Sequence, residues 1–329
     1  MADSFALTHP WLVAVWPGMG HVAVNAGIYL LAKLGMTGFA EFEANDLFDI
    51  EQVEVKDGLV QPARRPRNRF FVWLDPHKRH DLVVFLGEAQ PPAGRYAFCR
   101  QIAAFAQSQG IERVFTFAAM ATRMHPDHES RVFAAATDRV NLEELKRLEL
   151  TVMQEGNIGG LNGVLLGAAM ELGLNGMCLL GEMPQIFAQV PFPKASQAIL
   201  EVFTTIAGIE LDLSELAEQA RIVEEQLGEI LSRIEDQYQG ESGDEAGDQP
   251  SEGGGAESEI VSGSEAPAEP EPPRPRNRGR SAARVRIEEL FTAAAKDRSK
   301  AVELKHELDR LGLFPEYEDR FLDLFKKPS

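Results

Sequence analysis

Apolar residues along this chain fall into distinct kinds of run. Leu82-Val83-Val84-Phe85-Leu86 and Met177-Cys178-Leu179-Leu180 are apolar without alternation, the mark of strands covered on both faces. Around them, strand-like patterns at 11–16, 38–43, 70–74, 81–87, 114–119, 131–136, 149–153 and 176–181 are interleaved with helical ones at 22–34, 96–109, 161–172 and 194–207. Strand and helix in alternation predict an α/β domain with a mainly parallel sheet between helices.

After residue 212 the pattern changes. An Asp212-x-x-Glu215 capping pattern opens a long helix over 214–238, in which Leu216, Ala220, Val223, Leu227, Ile230 and Ile234 step by four and three. That spacing is a narrow interaction seam of the coiled-coil kind and implies a partner helix. The partner is either the same helix in another subunit or an amphipathic C-terminal helix over 283–311, which Gly312 and Pro315 stop before a last short helix at 316–327. Residues 240–282 are dominated by Gly, Ser, Pro, Glu and Ala and cannot offset their ordering entropy. The chain therefore divides into an α/β domain at 1–239, an acidic then Arg-rich disordered linker at 240–282 and a helical segment at 283–329.

Composition narrows the classes open to it. With 329 residues and 44% hydrophobic content the chain can bury a large core. It has no apolar run long enough to span a bilayer and no secretory leader pattern, so a cytoplasmic location away from membranes is expected. The net charge of −18 is uneven: residues 240–273 hold ten acids and no Lys or Arg, whereas 274–329 carry a net charge of +4. An acidic body argues against nucleic acid as a partner. Two cysteines, Cys99 and Cys178, make no disulfide framework and read as buried thiols.

Candidate chemistry centres on glycine. The stretch 154–184 reads as a loop with Gly156, Gly159, Gly160 and Gly163, then an apolar helix and a buried strand. It lacks the Gly-Lys-Ser/Thr ending that meets phosphate and magnesium in a Walker loop. A second turn, Gly18-Met19-Gly20-His21-Val22-Ala23, matches G-x-G-x-x-A after a strand, with Glu41 and Glu43 ending the next strand-like run. Tight strand-to-helix turns need glycine with or without a ligand, so a packing turn explains it and no cofactor is expected. His77-x-x-His80 and His125-x-x-His128 lie beside prolines in loops and lack helical ligand spacing, so no metal is expected. Arg64-Arg65-Pro66-Arg67-Asn68-Arg69, interrupted by proline, reads as a solvated hairpin edge. There is no G-x-S-x-G nucleophile elbow.

Several of these segments, in this order, resemble the proteasome assembly chaperone family of the second-subunit type, over about residues 5–239. The likeness rests on Trp16-Pro17-Gly18-Met19-Gly20 and the helix after it, on Pro66-x-Asn68-x-Phe70-Phe71-x-Trp73, on Phe85-Leu86-Gly87-Glu88-Ala89-Gln90-Pro91 leading to Tyr96, and on 156–184. The resemblance implies a three-layer α/β sandwich with a mainly parallel or mixed sheet, similar to the purine nucleoside phosphorylase fold, with a helical extension here. It also implies protein partners, homo-oligomers and a non-catalytic role. Archaeal relatives that engage the proteasome core end in a hydrophobic residue, a tyrosine and one further residue. This sequence closes Phe325-Lys326-Lys327-Pro328-Ser329, so docking on a proteasome by the tail is not expected.

Fold alone does not give function, and the phosphorylase-like architecture keeps an enzyme in play as the rival reading. It would act on a nucleoside, a phosphorylated compound or an amino-acid-type molecule. Gly18, Gly20, Gly156, Gly159, Gly160 and Gly163 would hold the ligand, and Glu88 or Glu182, both near strand ends, would orient it.

Overall fold

Four parallel strands, β6 (Leu82–Gly87), β1 (Trp11–Val15), β7 (Arg113–Thr122) and β10 (Asn175–Pro184), lie side by side in that order. Beyond β6, β5 (Asn68–Trp73) and then β2 (Thr37–Glu41) add antiparallel strands. Beyond β10, β8 (Val132–Ala136) is antiparallel to it and β9 (Thr151–Val152) runs parallel to β8. The computed structural model describes residues 7–49, 53, 55–56, 58–241 and 277–326. A two-stranded hairpin, β3 (Val55–Lys56) with β4 (Leu59–Val60), stands apart from the main sheet and was not anticipated.

The two-residue period of the strands builds one core on each face of the sheet. Val13, Val15, Leu82, Val84, Phe115, Phe117, Met177 and Leu179 point to one side. There they meet α1 (Val22–Lys33), α3 (Arg139–Arg147) and α5 (Pro193–Ala207). Leu12, Ala14, Val83, Phe85, Val114, Cys178 and Leu180 point to the other, under α2 (Arg95–Ser108) and α4 (Gly160–Glu171). The result is the expected sandwich with a mixed, mostly parallel sheet. Helix α3 escaped the sequence pattern because most of its nine residues are polar; its start is set by Asp138, whose carboxylate accepts from the Val140 and Asn141 amides at 2.9 and 3.0 Å.

Helix α6 (Ser214–Glu241) packs on α5. The C-terminal segment is three helices, not two: α7 (Asn277–Lys296), α8 (Ala301–Arg310) and α9 (Phe314–Asp323). The single helix expected over 283–311 breaks at Asp297, whose side chain accepts from the Ser299 amide at 3.0 Å and starts a new turn. Of the linker expected over 240–282, 242–276 lie outside the described residues, while 240–241 close α6 and 277–282 open α7.

These last helices return to the body. Ile287, Leu290, Phe291, Leu304, Leu308, Phe321 and Phe325 join the core that contains α1 and α5. The Gly38 amide on edge strand β2 donates to the Phe325 carbonyl at 2.7 Å, and Arg298 donates to the Met36 and Lys326 carbonyls at 3.0 and 3.1 Å. They do not close over the α6 seam: a groove remains between α6 and α8. Among the described residues no helix is long and apolar enough to cross a membrane.

Candidate functional site

The first glycine turn is committed to backbone packing. Gly20 takes φ of 58°, its amide donates to the Ala188 carbonyl at 2.8 Å, and its carbonyl accepts from Phe192 at 2.9 Å. A Cβ there would lie 2.7 Å from the Met183 sulfur. Gly18, in extended backbone, faces open space.

The second glycine loop closes against its own helix. A Cβ on Gly163 would lie 2.2 Å from the Ile158 carbonyl oxygen, and Gly156 and Gly160 take φ of 136° and 67°. Gly159 caps α4, and a Cβ added there would meet nothing within 4 Å. A helix N-terminus of this kind invites an anion, but here Gln90 supplies a neutral acceptor. Its Oε1 accepts from the Leu161 amide at 3.4 Å while its Nε2 donates to the Pro17 carbonyl at 3.0 Å. One side-chain amide thus ties the two glycine turns together. Nothing in the sequence signalled this beyond the place of Gln90 in the turn after β6.

The two acids are apart and paired. Glu182 is buried near the end of β10, where Arg131 Nε and Nη2 each donate to it at 2.7 Å and Thr122 Oγ1 at 2.8 Å. Those arginine bonds hold its carboxyl below the usual range. Glu88, just past β6, accepts from Arg64 Nη2 at 2.8 Å, the Arg67 amide at 2.9 Å and Arg69 Nη2 at 3.1 Å. Burial nonetheless pushes its carboxyl up. Strands β1 and β7 separate β6 from β10, placing the acids about 14 Å apart across the sheet.

The basic strip is only partly a solvated edge: Arg64 and Arg65 are exposed, but Arg69 is buried and Arg64, Arg67 and Arg69 are tied into an ion network. Asn68 and Arg69 lie in β5, shielded by β2, and are 1% and 6% exposed. Charge pairing makes that burial tolerable. Arg67 bonds Glu41 through Nε and Nη2, at 2.6 and 2.9 Å. Asp319, on α9, takes Arg64 Nε at 3.0 Å, Arg67 Nη1 at 2.9 Å and Arg69 Nη2.

His80 stacks on Trp11 with centroids 4.0 Å apart, and His125 pairs with Asp127. Cys99 and Cys178 are buried, which pushes both thiols up to about 12. Among the described residues, no three His, Cys, Asp or Glu side chains are grouped so as to hold a metal ion.

The seam residues divide. Leu216, Ala220 and Leu227 are buried as α6 packs, Val223 is half-buried and Ile230 is 44% exposed; the side chain of Ile234 lies outside the described residues. Between α6 and α8, over α1, runs a groove of about 490 Å³ lined by Ile28, Tyr29, Phe187, Val190, Ile222 and Val223. The Tyr29 hydroxyl donates to the Asp212 carbonyl at 2.7 Å, fixing the start of α6 to the groove floor. At the α8 wall, Lys305 is buried and bonds Asn25 Oδ1 at 3.3 Å and the Asp309 carboxylate. Burial lowers the pKa of its ammonium.

Comparison with known proteins places this architecture. The uncharacterised protein MJ1210 of Methanocaldococcus jannaschii is 28% identical over 232 residues, 69% of this chain and 85% of that one. Among solved structures, Pyrococcus furiosus PbaB, an archaeal proteasome activator, is similar with a TM-score of 0.60 and 28% identity, over 71% of this chain and 96% of its own. The Mycobacterium tuberculosis proteasome-assembly chaperone homologue Rv2125 shares the fold with a TM-score of 0.58 and 21% identity, over 66% of this chain and 94% of its own. Helices α7 to α9 lie beyond the stretch matched by the family model. That model, described as the PAC2 family, matches residues 12–231, more than half of the chain, and the chain therefore belongs to the PAC2 family.

Proposed function

We propose that this chain is a non-catalytic, protein-binding protein of the assembly-chaperone kind. It works in the cytoplasm and associates with other polypeptides, further copies of itself included, through the groove between α6 and α8. The observation that carries this reading is the groove: an apolar channel walled by two helices, with Ile230 exposed at its rim. Such a channel suits the apolar face of an added amphipathic helix. The likeness to PbaB supports the same class of activity. An enzyme finds less support, because Gln90 bonds the Leu161 amide at the helix terminus and arginines hold both acids. The tail is not the proposed contact. Phe325 is buried against Phe71 and Phe321, while residues 327–329 lie outside the described residues.

Ile230→Asp tests the groove without disturbing the core. An exposed surface substitution changes stability by only about 0.5 kcal/mol, so the melting temperature should hold. Sedimentation of the purified variant should show smaller assemblies than wild type. An unchanged sedimentation profile would count against the groove. Leu227→Asp is a poorer test, since Leu227 is buried and its loss would damage folding on its own.

A further inference from the structure

Three guanidinium groups converge on one carboxylate, and that carboxylate belongs to a segment outside the family domain. Arg64, Arg67 and Arg69 all bond Asp319 of α9. Next to these ion pairs, Phe321, Leu322 and Phe325 bury their side chains on the body. We propose that Arg64, Arg67 and Arg69 form a receptor for an acidic, phenylalanine-bearing helical segment of a protein partner, and that α9 occupies it in cis as a displaceable plug.

Three observations carry this. First, α9 fails to use all that the receptor offers. The Arg69 side chain is only 7% exposed, yet its Nε and Nη1 have no acceptor among the described residues, and buried donors of this kind are costly to leave unmet. Second, the plug brings an acid to an acid. Glu318, one residue before Asp319, faces Glu88, with Arg64, Arg69 and Lys305 the other charges around it. Burial, and then the charge of Glu88, push the Glu318 carboxyl up to about 7. Third, α9 joins α8 only through Leu311, Gly312 and Leu313, with Gly312 at φ of 65°, so α9 can swing away on this short connection while α7 and α8 stay in the core.

The sign of the pH effect follows from Glu318. Near pH 5 docking is strongest: below that, Asp319, which despite its burial is held under its ordinary range by its arginines, loses its charge and its ion pairs, whereas Glu318 is still protonated in the docked segment. As pH rises towards about 7 the free segment ionises first, and docking weakens until the docked acid ionises as well. The plug is therefore loosest at neutral pH and above.

Native-state hydrogen exchange on the full chain, corrected for intrinsic rates, reads this directly. Protection across 314–323 should fall on the order of a hundredfold between pH 5 and 7.5, while α5 stays constant. Glu318→Gln should flatten the profile. A second measurement uses a labelled synthetic peptide copying 312–326 and carrying Glu318→Gln. It should bind the full chain at pH 7.5, bind about tenfold more tightly when the chain carries Asp319→Lys, and lose binding on Arg64→Glu, an exposed position that spares the fold. If α9 opens only together with α5 at every pH, or if the peptide fails to bind the Asp319→Lys chain, the proposal is overturned. It rests on the protein-binding reading only for its partner. Because exchange is read with no partner present, its failure would leave the groove reading standing.

Discussion

Phe325→Ala should destabilise the folded chain by about 4 kcal/mol, the range seen when a fully buried phenylalanine leaves a cavity. The side chain is wholly buried, its ring lies 6.2 Å from Phe71 on β5 and 5.8 Å from Phe321, and its carbonyl takes the Gly38 amide of the edge strand. One residue thus joins α9, β5 and β2. Urea denaturation should show a lower midpoint, and limited proteolysis should release the C-terminal helices first. A change below about 1 kcal/mol would mean that the segment rests on the body without sharing its core.

Gly163→Val is the second large effect, at about 3 kcal/mol, with a fall in melting temperature of about 6 °C. The new Cβ would lie 2.2 Å from the Ile158 carbonyl oxygen, a backbone atom that moves only if the loop does. Gly18→Ala is the contrast, because Gly18 has extended backbone and nothing lies within 4 Å of where its Cβ would sit; it should stay within about 0.5 kcal/mol. Thermal unfolding of the pair separates two meanings of glycine. If the turns cradled a phosphate, Gly18→Ala would abolish a phosphate-induced rise in melting temperature that wild type displayed. If they are packing turns, Gly163→Val alone is costly and phosphate shifts neither.

The middle of the sheet was legible because β6 and the 177–180 part of β10 are short apolar runs without alternation, bounded by turn residues, as strands covered on both faces are. Helices α1, α2, α4 and α5 were read to within a residue or two from their period. What escaped was set by single polar side chains. Asp138 starts α3 and Asp297 divides α7 from α8, and neither disturbs the apolar pattern. The exposed end of the strip, Arg64 and Arg65, is as expected, but the burial of Arg69 was not legible because the acid it pairs with, Asp319, stands 250 residues away along the chain. No local pattern carries such a pairing. The glycine turns were recognisable as turns, but the side chain that joins them, Gln90, is polar and ordinary in sequence. The four-three spacing of α6 pointed to a helix partner; in the fold, α5 takes part of that face and the rest opens into the groove.

The central claim is that the working surface is the α6–α8 groove and that the glycine turns are structural. A photocrosslinking side chain placed at Gln226, which is exposed and lines the groove, tests it most directly in the full chain in its own cells. Irradiation should join the chain to another polypeptide, a partner or a second copy, while the same group at Gly18 or Gly159 should give no adduct. Adducts from Gly18 or Gly159 with none from Gln226 would contradict the account.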